Sequence, residues 1–386
     1  MLVIYAALAL VVLAKWPDVV SGRSIGRDFS MIWAAGGLAA QGHPAQAYDT
    51  ESLAAARQAV LHGPPGYLPW PYPPIFLLAA AALSLLPYGW AQLAWLGATG
   101  GGYLAGVRGV LSHPRTILVA IAWPGVMVNV LYSHNGFLSA ALLGAGLALL
   151  ESRPLLAGMF LGAMSYKPHL AALVPVALVA GKHWRALGSA AATVLVLCAA
   201  SAALFGAEAW MAFAASLART RSDLETGMSG FFQMVTVFAA VRELGGSIAS
   251  AWLAQGLVSI AVIAVVIRAW RSAAPVHLKG AVLAAAVPLV SPHGLGYDLV
   301  VEAIAAAGLV REALRTGFRP WEQATLLACW LLPAAAPLLA WATGVPVAPV
   351  VELALVAVLA RRASGFGLAG QQARGVRGSR PESAGG

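Results

Sequence analysis

Twelve apolar runs divide this chain, at about 2–14, 72–86, 88–107, 115–132, 135–150, 155–181, 186–206, 248–267, 278–292, 295–310, 322–342 and 346–360. Several reach or approach the ~20 residues that a helix needs to cross hydrocarbon. In a bilayer every backbone N–H and C=O must be satisfied inside the segment, so only helices and closed barrels can span it. The runs show no alternation of period two, which argues against a barrel. The fold expected is all-α: a polytopic helical membrane protein, one transmembrane domain with loops. Only 10% of the 386 residues are charged and 60% are hydrophobic. Mean hydropathy is +0.78.

The net charge of +9 is spread as single and paired basic residues between apolar runs. That pattern marks cytoplasmic loops rather than a nucleic-acid surface. Arg108/Arg115, Arg153, Lys182/Arg185, Arg268/Arg271/Lys279 and Arg311/Arg315/Arg319 all read as inner. Placing them on one side constrains the crossings. The short run 72–86, bounded by Pro71-Tyr72-Pro73-Pro74 and Pro87, becomes re-entrant or interfacial. The run 155–181, basic at both ends, crosses twice and turns at Lys167. The result is about twelve spans with both termini inside. Residues 1–361 form the membrane domain, with outer loops at 15–70 and 207–247. Residues 362–386, rich in Gly, Ser and Arg, read as a disordered basic cytoplasmic tail. Met1–Ala14 reads as a short first span rather than a signal peptide, with Met1 open as the true start. Cys198 and Cys329 lie inside apolar runs and read as small core residues.

The unusual polar residues then collect on the outer side. Asp28, in Arg27-Asp28-Phe29, is either a general base at the membrane interface or the N-cap of a helix over 29–41. Tyr48-Asp49 reads first as another helix start. Trp70-Pro71-Tyr72 is a rigid aromatic segment, an interface belt or the wall of a substrate groove. Lys167-Pro168-His169 interrupts an apolar run. A lysine there either lines a cavity, where it suits a phosphate, or snorkels to headgroups. Ser291-Pro292-His293 with Tyr297-Asp298 interrupts a second run, as a site or as a turn capped by Asp298. His134-Asn135 reads as a simple turn. No Walker loop, dinucleotide-binding glycine pattern, HExxH, Asp-x-Asp or zinc spacing occurs.

In order, these motifs resemble glycosyltransferase family 87, the C-type integral-membrane glycosyltransferases. The residues that carry the resemblance are Arg27, Asp28, Phe29, Trp33, Ala35, Gly36, Gly42, Tyr48, Asp49, Tyr72-Pro73-Pro74, Lys167-Pro168-His169, Ser291-Pro292-His293 and Tyr297-Asp298. The resemblance implies a large first outer loop with juxtamembrane helices and a catalytic aspartate at Asp28. It also implies a sugar donor carried on polyprenyl phosphate. His169 departs from the pattern, standing where glutamine is expected. The function expected is transfer of a hexose, by family mannose, to a glycolipid or envelope-glycan acceptor. The reaction would be inverting and would need neither metal nor cofactor. Lys167, His293 and Arg27 would hold the donor phosphate. Trp33, Tyr48, Asp49, Tyr72, His134, His169 and Tyr297 would line the substrate cleft. The expected location is a bacterial plasma membrane, multi-pass, with the site facing the periplasm or exterior. The partners would be the lipid-linked donor, the acceptor and membrane lipids, with no nucleic acid. Two rivals use the same residues: a flippase of a lipid-linked saccharide, and a non-enzymatic subunit of an envelope-synthesis complex.

Overall fold

The computed structural model describes residues 28–61, 64–228 and 230–378. The run 2–14 and Arg27 lie outside the described residues. Among those described, the regular structure is helical, with one isolated bridge between Met234 and Leu295.

The segment 28–87, which the sequence reads as lying largely outside, folds into α1 (Phe29–Ala40), α2 (Thr50–Gln58) and α3 (Pro74–Ser84). Asp49 caps α2, its Oδ2 accepting from the Ser52 N–H at 2.9 Å. Pro74 opens α3, where a missing N–H costs nothing. α1 and α3 touch through Gly36; a Cβ there would lie 2.0 Å from the Ala80 carbonyl oxygen, so only glycine fits. α3 has 11 residues, about 17 Å of helix, which is short of the hydrocarbon thickness.

α4 (Tyr88–Val110) follows, then α5 (Thr116–Ile121), α6 (Pro124–Tyr132) and α7 (Gly136–Leu149). α8 (Pro154–Ala163), α9 (Pro168–Ala171) and α10 (Leu173–Ala180) come next. The run 155–181 breaks at Lys167, as its composition predicts. The charges of Glu151 and Lys279 both act on His183. The chain therefore returns to the end it left, with Lys167 at the far tip.

α11 (Trp184–Thr226), α12 (Val237–Glu243), α13 (Ile248–Arg271) and α14 (Val276–Val290) precede a 3-10 turn at Gly296–Val301. α15 (Glu302–Thr316), α16 (Glu322–Thr343) and α17 (Ala348–Gly378) complete the described chain. α14 is buried from Gly280 through Leu289 and forms the axis of the core, with α13, α15 and α17 packed on it. A helix apolar all round belongs in that position.

Several elements differ from the pattern of apolar runs. Only α11, α13 and α16 are long and apolar enough to cross a membrane, among the described residues. The runs 115–132 and 295–310 do not form single spans, because Trp123-Pro124 and the 3-10 turn break them. Residues 207–226 of the expected 207–247 loop are helical. α11 kinks at Gly206 (φ 72°, ψ 171°) and continues as a polar helix to Thr226. That half lies on the outer segment: Arg219 Nη1 donates to the Tyr48 carbonyl at 3.1 Å, and Tyr67 Oη donates to Asp223 Oδ2 at 2.6 Å. Finally, the body extends beyond 361. Arg362 is buried, pairs with Glu322 and donates to the Gly317 carbonyl at 2.9 Å.

Candidate active site

Two interrupted runs and one turn meet at the tip of the 155–181 hairpin. Lys167 is buried, and its Nζ lies 2.5 Å from Asp298 Oδ1 and 3.1 Å from Asn135 Oδ1. It also sits 4.9 Å from the centre of the Tyr297 ring. A buried cation must be paired this closely to repay its desolvation. Lys167 is therefore no bare anchor awaiting an anion, because two of its three N–H directions are already used.

The turn Ser133-His134-Asn135 is the hub, although the sequence presents it as the weakest of the motifs. Ser133 takes a left-handed φ of 52°. Gln92 Nε2 donates to Ser133 Oγ at 2.9 Å, and Trp95 Nε1 donates to the His134 carbonyl at 3.1 Å. Tyr166 Oη donates to the Asn135 carbonyl at 3.1 Å. The His134 ring stacks on Tyr297 at 3.9 Å between centroids, and its Nε2 lies 3.5 Å from Tyr72 Oη. Asn129, buried one turn earlier, donates to the Tyr297 carbonyl at 2.9 Å. Gly136 allows that approach, since a Cβ there would lie 2.2 Å from the same carbonyl.

Around the Lys167–Asp298 pair, several buried polar atoms have no hydrogen-bond partner among the described residues. They are Asn135 Nδ2, His169 Nε2 and His293 Nδ1. Buried polar atoms are almost always satisfied, so a group of orphans marks a place for a ligand or water. Lys167 fixes the Asn135 amide, because its N–H can meet only Oδ1; Nδ2 must then face the other way as a donor. The His169 and His293 rings stand edge to face at 5.9 Å. The Ser291-Pro292-His293 turn is held by Ser291 Oγ, which accepts from the His293 N–H at 3.1 Å. Burial first, then the Lys167 charge, pushes the His293 and His134 imidazoles below their ordinary value. Both rings are neutral near pH 7.

Asp28 stands at the start of α1, half-buried, with helical φ −71° and ψ −28°; its side chain makes no capping bond to that helix. Its charge acts on Tyr72, Tyr88 and Tyr297. Tyr297 also underlies Lys167, so it is the shared neighbour of Asp28 and the ion pair. Arg57, which the sequence reading missed, is buried beneath α1. It donates to Ser30 Oγ at 3.0 Å and to the Pro65 and Gly66 carbonyls at 2.7 and 3.0 Å. Its charge meets that of Asp28 at Tyr88.

The remaining residues divide. Tyr72 and His134 belong to the cluster, as do Tyr297 and His169. Tyr48 is buried and donates to the Tyr72 carbonyl at 2.9 Å, which is a positioning role. Asp49 is the exposed cap already described. Trp33 donates from Nε1 to the Leu86 carbonyl at 3.0 Å. With Gly37, Gln41, Gln46 and Ser52 it lines a separate cleft of about 680 Å³ between α1, α2 and α3. Asp298 was expected only as part of the second interruption, with no role of its own, and Asn135 and Asn129 were not among the expected site residues. No group of three or more His, Cys, Asp or Glu is arranged to hold a metal among the described residues.

Residues 70–292 match the model of glycosyltransferase family 87, more than half of the chain. No curated protein and no solved structure matches.

Proposed function

The chain belongs to glycosyltransferase family 87 and is a membrane glycosyltransferase; on that premise we propose that it moves a hexose, mannose by family, from a polyprenyl-phosphate donor to a glycolipid or envelope-glycan acceptor. The transfer takes place at the outer face of a bacterial plasma membrane, with inversion and without a metal. The observation that carries this reading is the group of unpartnered buried polar atoms around Lys167, with the Asp28 carboxylate near enough for its charge to act on the tyrosine beneath that lysine.

In the reaction Asp28 takes the proton of the acceptor hydroxyl. The acceptor oxygen bonds to the anomeric carbon as the bond from that carbon to the phosphate oxygen breaks. The electron pair leaves on the phosphate as polyprenyl phosphate. Asn135 Nδ2, His293 and His169 face the charge that builds there. Lys167 contributes its field and holds Asn135 in register, while Asp298 keeps it charged. Donors fixed in advance in a water-poor site stabilise such charge without reorganising, the usual largest catalytic effect. The outer helices and the distal half of α11 close over the acceptor and exclude water.

The test is transfer from labelled polyprenyl-phosphate sugars to membrane glycolipids by purified protein. Asp28→Asn is expected to slow transfer about 10²–10⁴-fold, the range for a general base. Unchanged transfer by that variant removes Asp28 from the base role. Absence of transfer with every polyprenyl-phosphate hexose sinks the donor assignment.

A further inference from the structure

At the opposite end of the molecule a second cleft opens between α4, α7, α14 and α15. Its volume is about 430 Å³. α15 begins at Glu302, one turn beyond Asp298, and reaches Arg315 thirteen residues later, about 20 Å along the axis. The cleft therefore lies at the far end of α15 from Asp298, among the basic residues that the sequence marks as inner.

Its mouth is cationic. Arg311 and Arg315 line it with His277 and Ser152. Arg311 is pinned, its Nη1 donating to the Val110 carbonyl at 3.0 Å, so part of its fork is fixed at the rim. Arg315 is 70% exposed and can swing over the opening. Glu312 is committed to His277, whose Nε2 lies 2.9 Å from its Oε2, and it is 4.0 Å from Arg315 Nη1. Glu151 also lines the cleft, and the charges of Glu151 and Lys279 act on each other. Of the charged side chains that line the cleft, two are cations, Arg311 and Arg315, and one is a carboxylate, Glu151. Leu147, Ala148, Ile304 and Gly280 give the rest of the lining an apolar part. A basic mouth over an apolar floor between membrane helices fits an amphiphile with a phosphate head.

We propose that this cleft binds the phosphate headgroup of an anionic phospholipid, with its glycerol and upper chains on the Leu147–Ile304 floor. The site is separate from the transfer site and does not depend on how that site works. A phosphate anion could come from lipid or from solution. The apolar floor favours lipid, because free phosphate would leave it unused.

The experiment reconstitutes the full chain in nanodiscs of phosphatidylcholine, with and without phosphatidylglycerol, and counts retained lipid by native mass spectrometry. Phosphatidylglycerol is expected to be retained in preference. Arg315→Gln should lower that retention about fivefold, the fold-change for one basic residue at an anionic headgroup. Arg185→Gln, an exposed basic residue at the same end but outside the cleft, should leave it unchanged. Equal retention of both lipids overturns the proposal. So does an equal loss in Arg185→Gln, which would mean only general surface attraction. Displacement of the lipid by millimolar inorganic phosphate assigns the site to free phosphate and overturns the lipid assignment.

Discussion

Among the described residues two Lys/Arg–carboxylate pairs are fully buried, and they are built differently. Arg362 and Glu322 close the junction of α16 and α17, with Thr316 Oγ1 and the Gly317 carbonyl taking the second guanidinium nitrogen. What remains unpaired there, Arg362 Nε and Glu322 Oε1, belongs to the pair itself. Lys167 and Asp298 are as deeply buried, but the unpaired atoms around them belong to other side chains, Asn135, His169 and His293, from three separate segments. The first pair is a clamp. The second is a clamp that holds open donors around itself. Burial and short distance alone do not separate structure from function; the satisfaction of the surroundings does.

The largest effect should come from breaking one side of either pair. Lys167→Met or Arg362→Met leaves a carboxylate buried and alone, and should cost about 3–5 kcal/mol in unfolding experiments in detergent. The paired replacements sharpen the contrast. Arg362→Met with Glu322→Leu should recover stability and keep transfer. Lys167→Met with Asp298→Leu should recover stability and remain inactive. If both double variants transfer sugar at the native rate, the two pairs are equivalent and the distinction fails.

A smaller effect comes from carboxylates with no counter-charge. Glu302 and Glu352 are wholly buried, and none of their four oxygens has a partner among the described residues. Their charges act on one another. Burial pushes the Glu302 carboxyl up to about 8, so it is held as the neutral acid near pH 7; Glu302→Gln should raise stability by about 1–2 kcal/mol, since an amide of the same shape need not take up a proton on burial. A loss of stability would show that this pair holds something as well.

The smallest effect is in pH. The folded values of His134 and His293 lie below the unfolded value of about 6.5. The unfolded chain therefore takes up protons first. The contribution of each ring is full above about pH 6.5 and is lost as pH falls towards the folded value, on the order of 1 kcal/mol per pH unit. His293→Gln should flatten the acid limb of a stability–pH profile. A limb unchanged in that variant would place the titration elsewhere.

Parts of this were legible in the sequence because they are local. A lysine and a proline inside an apolar run announce a break, and the helix does break at Lys167. Asp49 three residues before Ser52 announces a cap, and it is one. The partners were not legible. Asp298 is 131 positions from Lys167, and only the packed bundle brings them together. Asn135 follows a histidine at the end of a run and looks like any turn; its meaning depends on Lys167 reaching its Oδ1. The helix after Gly206 was hidden because charges at Glu208, Arg219 and Asp223 end the apolar pattern while the backbone stays helical. Two helix breaks were hidden for a related reason: Trp123-Pro124 and the 3-10 turn at Gly296–Val301 are short, but each interrupts a run that composition alone reads as continuous.

The donors around Lys167 are proposed to hold the phosphate of the lipid-linked sugar, and Asn135→Asp probes this most directly. The substitution keeps an oxygen for Lys167 and replaces the open N–H donor by a second oxygen. Titration of polyprenyl monophosphate, followed through ¹⁵N-histidine resonances, is expected to shift His169 and His293 in the native protein and to lose those shifts in the variant. Equal shifts in the two proteins, or none in the native protein, would contradict a phosphate at this cluster.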